Sequence, residues 1–511
     1  MEALGEISTR GISAFTDSTG GKMSGQPNPS GRFAIGAGLL VSGTAAGQAI
    51  VILSAPLLTR LYSPGEFGAL GVYVGVLAFI TLVASFRYEV AIPLPRSENS
   101  ARALLIVALV VTVGVAGLTG VLVAFFGHKL AARTNMAVLE PYLWLLPIGV
   151  LVGGGQKALL YWALRRRAFG HIARVRMQQG GGIAGFQALF GLLHLGAGGL
   201  VAGHLLGVAS GFAGLARYAW KGDKAEFLRI RLRKMWHSAR RYRRFPLYST
   251  WSDMANVAGT QIPLILLASM FSPLIAGLYM LAHRVANAPA ALVAEAIGKV
   301  FMAGAATARN DGTLPELCLR VFQLLLRLGV GPLLIVALVA PEFFQLVFGA
   351  GWKEGGFYLR LMVPWLSAVF IFAPLSTLYG VLERQPMDLT FQITLLVSRM
   401  SALVAGAALA GPIVAIGLYS ITAAAVYIGF GTALLHEAGV SYRDLMRTAL
   451  GELAVVTPLG VVLFVAKRLL PMREPSFSDP ATLAVLAFAG TLAIIPIVRV
   501  RHAVRRLRHI A

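Results

Sequence analysis

Five basic residues stand inside long apolar runs or at their ends: Lys157, Arg284, Lys299, Arg327 and Arg399. A cation placed there costs several kcal/mol unless it meets protein, water or a counter-ion, and such residues mark substrate and ion paths. Lys299 and Arg327 lie near run ends and can snorkel to the surface, whereas Arg284 and Arg399 are too central to do so. At about 100° per residue, Gly277, Arg284, Ala288, Ala291 and Glu295 share one helix face, with Asn287 beside them. A stripe of small and charged residues on an otherwise oily helix is the wall of a water-filled cavity. Pro289 predicts a kink that opens backbone groups to it. Glu295 and Lys299 are spaced i,i+4 and so form a possible charge pair or coupling site. Gln392, Arg399 and Gly406 repeat the pattern at intervals of seven, and Gly153-Gly154-Gly155-Gln156-Lys157 reads as a glycine interruption beside a charge. Acids inside the runs are few, chiefly Glu295 and Asp253. Guanidinium donors match phosphate oxygens bidentately. The expected site is therefore a cationic cavity of Arg284, Arg399, Lys157, Asn287 and Gln392 that takes an anion bearing phosphate or acidic sugar.

The elements that must hold these residues are transmembrane helices. Of 511 residues, 57% are hydrophobic and 13% charged, and the mean hydropathy is +0.73. No single aqueous core hides that much apolar surface, so lipid must cover it. Windows long enough to span fall at about 33–58, 67–86, 103–126, 141–164, 177–195, 198–216, 248–270, 274–302, 321–346, 361–382, 389–410, 413–435, 449–466 and 481–498. With the N-terminus placed in the cytosol, the inner segments hold 32 Lys and Arg and the outer loops 8, the asymmetry of the positive-inside rule. The reading is an all-α integral membrane protein of about fourteen transmembrane helices, both termini cytoplasmic. Residues 1–32 read as a disordered leader, 33–216 as a six-helix lobe, and 217–246 as a basic cytoplasmic linker. A second six-helix lobe covers 247–435, two additional helices 436–498, and a basic tail 499–511. The linker, with Trp220, Phe227, Leu232, Met235 and Trp236 among its cations, has the composition of an amphipathic helix on anionic headgroups.

Several chemistries are excluded by what is missing. The single cysteine, Cys318, allows no internal disulfide, and the nine histidines form no metal-binding motif. His194 and His204 read as packed or interfacial residues rather than ligands. No GxSxG, P-loop or exposed carboxylate pair occurs, so neither an enzyme nor an ATP-driven pump is indicated, and no cofactor is implied. The net charge of +23 reports membrane orientation rather than nucleic-acid binding.

Five segments, in order, carry a resemblance. They are Leu58-Thr59-Arg60-Leu61-Tyr62-Ser63-Pro64-Gly65-Glu66-Phe67-Gly68, Phe86-Arg87-Tyr88-Glu89, Arg243-Arg244-Phe245-Pro246-Leu247-Tyr248-Ser249-Thr250, Ala276-Gly277-Leu278-Tyr279 with Ala282-His283-Arg284-Val285, and Phe348-Gly349-Ala350-Gly351-Trp352. Over about residues 35–435 the chain resembles oligosaccharide (O-antigen) flippases of the polysaccharide-transporter family, within the multidrug and oligosaccharidyl-lipid exporter superfamily. The resemblance implies two six-helix lobes around a central cavity and transport by alternating access. It implies a polyprenyl-pyrophosphate-linked oligosaccharide as substrate, turned outward across a bacterial inner membrane for O-antigen, capsule or exopolysaccharide assembly. Arg284 would hold the anionic headgroup. Expected partners are that lipid-linked oligosaccharide, membrane lipids, a polysaccharide polymerase and a chain-length regulator. The competing readings are a polytopic polymerase or glycosyltransferase, which would need a large outer loop, and a drug antiporter of the same fold, which would need acidic membrane residues.

Overall fold

A computed structural model describes residues 29–469 apart from 134–136, 228, 244 and 246–249, together with Val485 and Ala489. Long helices dominate, and no strand occurs among the described residues. They are α1 (Pro29–Leu53), α2 (Pro64–Val83), α3 (Glu98–Arg133), α4 (Leu145–Arg165), α5 (Phe169–Leu192), α6 (Gly196–Phe227), α7 (Thr250–Met270), α8 (Pro273–Asn310), α9 (Leu314–Phe348), α10 (Lys353–Phe372), α11 (Gln385–Ala410), α12 (Pro412–Glu437) and α13 (Tyr442–Leu469). A short linker helix, Leu232–Arg241, lies between α6 and α7. Nine helical stretches among the described residues are long and apolar enough to cross a membrane. Helices α4, α5 and α8 carry the polar residues Gln156, Lys157, Arg176, Gln179 and Arg284, and α7 is apolar over the shorter stretch Val257–Met270. The fourteenth window, 481–498, lies outside the described residues except for Val485 and Ala489.

Glycine acts here differently from its sequence-based reading. The Gly153-Gly154-Gly155 run does not interrupt α4, which is one helix. Its missing side chains instead admit Thr112 and Ala84 at Gly154, and Phe212 at Gly155. Close helix approach through small residues is the main source of packing energy where lipid is as apolar as leucine. Likewise α8 is assigned as one helix through Pro289.

Apart from α2, helices α1–α6 pack mainly among themselves, as do α8–α12, whereas α2 packs mostly on α7 and α8, and α13 lies on α9. The principal contacts between the two groups join α2 to α7 and α8. Helices α2 and α8 begin with the same motif, Ser-Pro followed by glycine four residues after the proline: Ser63-Pro64…Gly68 and Ser272-Pro273…Gly277. Each serine caps its helix, Ser63 Oγ accepting from Glu66 N–H and Ser272 Oγ from Ile275 N–H, both at 3.4 Å. The glycines then meet reciprocally. A Cβ on Gly68 would collide with the Pro273 carbonyl oxygen, and one on Gly277 with the Pro64 carbonyl oxygen. Further along α2, Gly71 lies under Met280 and Leu264, and Gly75 under Ile265 and Gln261. At the same end, Trp352 Nε1 donates to the Thr59 carbonyl at 3.1 Å, and its ring meets Phe67 edge-on at 5.0 Å.

The attachment of α13 shows how this chain uses a charge structurally. Arg327 Nε donates to Glu452 Oε1 at 2.7 Å, and Gln323 Nε2 to the same oxygen at 3.1 Å. Near the other end, Lys467 Nζ reaches Glu342 at 2.8 Å and the Leu338 carbonyl at 2.8 Å. Pro341 lacks an N–H, which leaves the Ala337 carbonyl without its helical partner. Arg360 Nε fills that place at 3.0 Å. Arg327 is therefore a tie between helices rather than a free or snorkelling cation. The sequence-based tally of acids omitted its partner, Glu452, which sits three residues inside the thirteenth window.

Candidate functional site

Helix α8 separates two environments. Arg284 lies eleven residues from Pro273, about 16 Å along the axis and so near mid-depth. It is partly buried and lies in the neighbourhood of His204 of α6. Among the described residues nothing hydrogen-bonds or ion-pairs with it. Asn287, also partly buried, stands one turn further along. This side of α8 faces the first group of helices. The adjoining side enters the second group, where the His283 ring stacks between Tyr279 at 6.1 Å and Trp365 at 5.4 Å. Trp365 meets Tyr419 edge-on at 5.4 Å.

Arg399 belongs to that second environment. It is 8% exposed and lies 5.8 Å from the Tyr419 ring centroid. Tyr419 is within hydrogen-bonding reach of both Arg399 and Tyr279. Room for the guanidinium comes from Gly259 of α7, where a Cβ would overlap Nη2. Arg399 thus reaches α8 from behind, through Tyr419 and Tyr279, on the side opposite His204. Gln392 is exposed and does not join it. The seven-residue spacing puts the two on one face, but about 10 Å apart along α11.

Lys157 is partly buried and its Nζ donates to the Thr81 carbonyl at 3.2 Å. Lys299 is exposed, and the Glu295 side chain lies outside the described residues, so their pairing does too. Sequence reasoning missed Arg176. It was counted in a cytoplasmic loop because the fifth window began at 177. Helix α5 starts at Phe169, which puts Arg176 two turns inside and partly buried. Its Nη1 reaches Gln179 Oε1 at 3.4 Å, the oxygen that also accepts from Gln156 Nε2 at 2.9 Å. The i,i+3 spacing of Arg176 and Gln179 was the signal available. His204, read from the sequence as packed or interfacial, is partly buried on α6.

The arrangement is a partly buried arginine where two helix groups meet, with His204 in its neighbourhood and Asn287 one turn along. No group of metal-ligating side chains occurs among the described residues.

A family model described as "Polysaccharide biosynthesis protein" matches residues 57–355. The chain belongs to that family. No curated protein matches the sequence. The fold is similar to that of the lipid II flippase MurJ in an inward closed conformation, at TM-score 0.64 and 12% identity, covering 92% of this chain and 99% of that one. It is also similar to an inward-facing multidrug resistance transporter of the MATE family, within the MOP superfamily, at TM-score 0.56 and 15% identity, covering 80% and 95%. The chain is thus a multi-pass membrane protein with a flippase and transporter fold, and these structural neighbours are transporters rather than enzymes.

Proposed function

We propose that the protein flips a polyprenyl-pyrophosphate-linked oligosaccharide from the cytoplasmic to the outer face of a bacterial inner membrane, for assembly of O-antigen, capsule or exopolysaccharide. The observation that carries this reading is Arg284, a mid-depth guanidinium between the helix groups with no carboxylate among the described residues to neutralise it. A buried charge of that kind costs too much to keep without an anion to receive. A pyrophosphate offers the oxygens its planar donors match. The family match at polysaccharide biosynthesis supports the glycan, and a fold neighbour that is itself a lipid flippase supports the lipid carrier. The Ser-Pro ends then lie at the outer face, and both termini lie in the cytosol.

Arg284→Ala is expected to abolish surface polysaccharide while membrane abundance stays at the wild-type level. Arg284→Lys should retain part of it, since a point charge replaces a bidentate donor. Normal glycan in the alanine variant would overturn the headgroup role.

Transport by alternating access requires the glycine contact between α2 and α8 to part. Gly277→Leu is expected to wedge it open and stop transport, with Gly277→Ala milder. The measurement is maleimide labelling at Thr59→Cys, a position 6% exposed. Labelling should rise several-fold in the leucine variant, and unchanged labelling counts against the contact as a gate.

A further inference from the structure

The linker helix is held on one flank and bare on another. Ser238 is 3% exposed, and Tyr88, just beyond α2, donates its hydroxyl to the Ala239 carbonyl at 3.3 Å. The approach to it is fixed as well. Phe227, the last residue of α6, packs on Trp162 of α4 at 5.7 Å, and Glu226 is ion-paired with Arg102 of α3. Yet Leu232 is 78% and Trp236 71% exposed. These two are four residues apart and share a helix edge. Arg233 and Arg240 flank that edge, and Arg241 follows. No acidic residue occurs between Glu226 and Asp253. Among the described residues none of these arginines forms an ion pair.

Position decides what covers this edge. Helix α6 has 32 residues, roughly 48 Å of helix against a hydrocarbon core of about 30 Å. Its last turns carry Lys221, Asp223, Lys224 and Glu226, so the chain leaves the apolar layer there, and the linker helix lies between that exit and the entry of α7. We infer that the linker helix is an interfacial binding element for anionic phospholipid, with Leu232 and Trp236 inserted at the headgroup level and the arginines on the phosphates. Tryptophan at that depth keeps its ring apolar and its N–H wet. Juxtamembrane basic residues gain from the negative potential of the inner leaflet. An edge one helical turn long is too small for a protein interface, which needs about 800 Å² per partner. It suffices for a helix lying in the membrane plane. The linker is also the only covalent path between α6 and α7, so lipid bound there bears directly on both helix groups. None of this depends on which substrate is carried.

The test uses the full chain in nanodiscs, with a polarity-sensitive fluorophore on Leu232→Cys. Cys318 is buried, and Leu232 is too exposed for its loss to affect folding. Quenchers carried on phosphatidylglycerol should quench the probe more than the same quenchers on phosphatidylcholine, and aqueous iodide should not. The preference should fall roughly fivefold for each of Arg233→Gln, Arg240→Gln and Arg241→Gln, and shrink with added salt. Equal quenching by the two lipids overturns the anionic preference. Quenching by iodide overturns insertion altogether. Shielding that appears only as protein concentration rises would instead assign the edge to a second copy of the chain.

Discussion

Cations inside this protein fall into two kinds. Where α9 meets α13, Arg327 is matched to Glu452 and Lys467 to Glu342, at 2.7 and 2.8 Å. Arg284 between the helix groups, Arg176 within the first group and Arg399 within the second face only neutral groups among the described residues: a histidine close by, a glutamine amide and tyrosines in turn. The first kind is complete and fastens one helix to another. The second kind has no carboxylate among the described residues, which is what the proposed anion-binding role requires of it. Residue type alone does not separate them, because every one is basic and sits in a long helix. The separating quantity is whether a carboxylate comes within reach.

Giving Arg284 the partner that Arg327 already has should break the distinction most sharply. Asn287→Asp places a carboxylate one turn from Arg284, and it is expected to leave the protein folded and abundant while reducing glycan export by at least tenfold. The reverse change, Glu452→Gln, strips Arg327 of its carboxylate. For this partly exposed pair the expected cost is roughly 1–3 kcal/mol, read as a lower melting temperature in detergent, with export by the surviving protein unchanged. Replacing both members, Arg327→Met with Glu452→Leu, should restore most of that stability, since well-packed apolar residues substitute for an ion pair. Arg176→Gln should have the smallest effect, a change of a few-fold in export. A loss as large as that of Arg284→Ala would promote Arg176 to an equal share in ligand binding.

Much of the scaffold was legible from hydropathy. Thirteen of the fourteen windows fall on long helices, and the linker's amphipathic pattern became a helix. That Arg284 is partly buried could be foreseen too, because it stands at the centre of an apolar run. Pairing across helices was not. Glu452 is 125 residues from Arg327, and no local pattern announces that two helices so far apart in sequence will touch. Glycine misled in one direction: Gly153-Gly154-Gly155 was read for backbone freedom, whereas in α4 it serves close approach. Arg176 was lost to a boundary error of about eight residues, where polar residues at the start of α5 diluted the apolar signal.

The reciprocal glycine contact of α2 and α8 has a thermodynamic consequence. Helix backbones that touch without side chains are held there by Cα–H···O contacts and dispersion, each worth about 1 kcal/mol or less. At the two glycines such a closure is shallow, and there no side chain of their own has to be reordered when it re-forms. Moving a two-state equilibrium from one side to the other takes about 5.5 kcal/mol of differential binding. A shallow closure lowers that demand, and on the proposed reading a headgroup held on Arg284 more tightly in one state than the other would be what meets it.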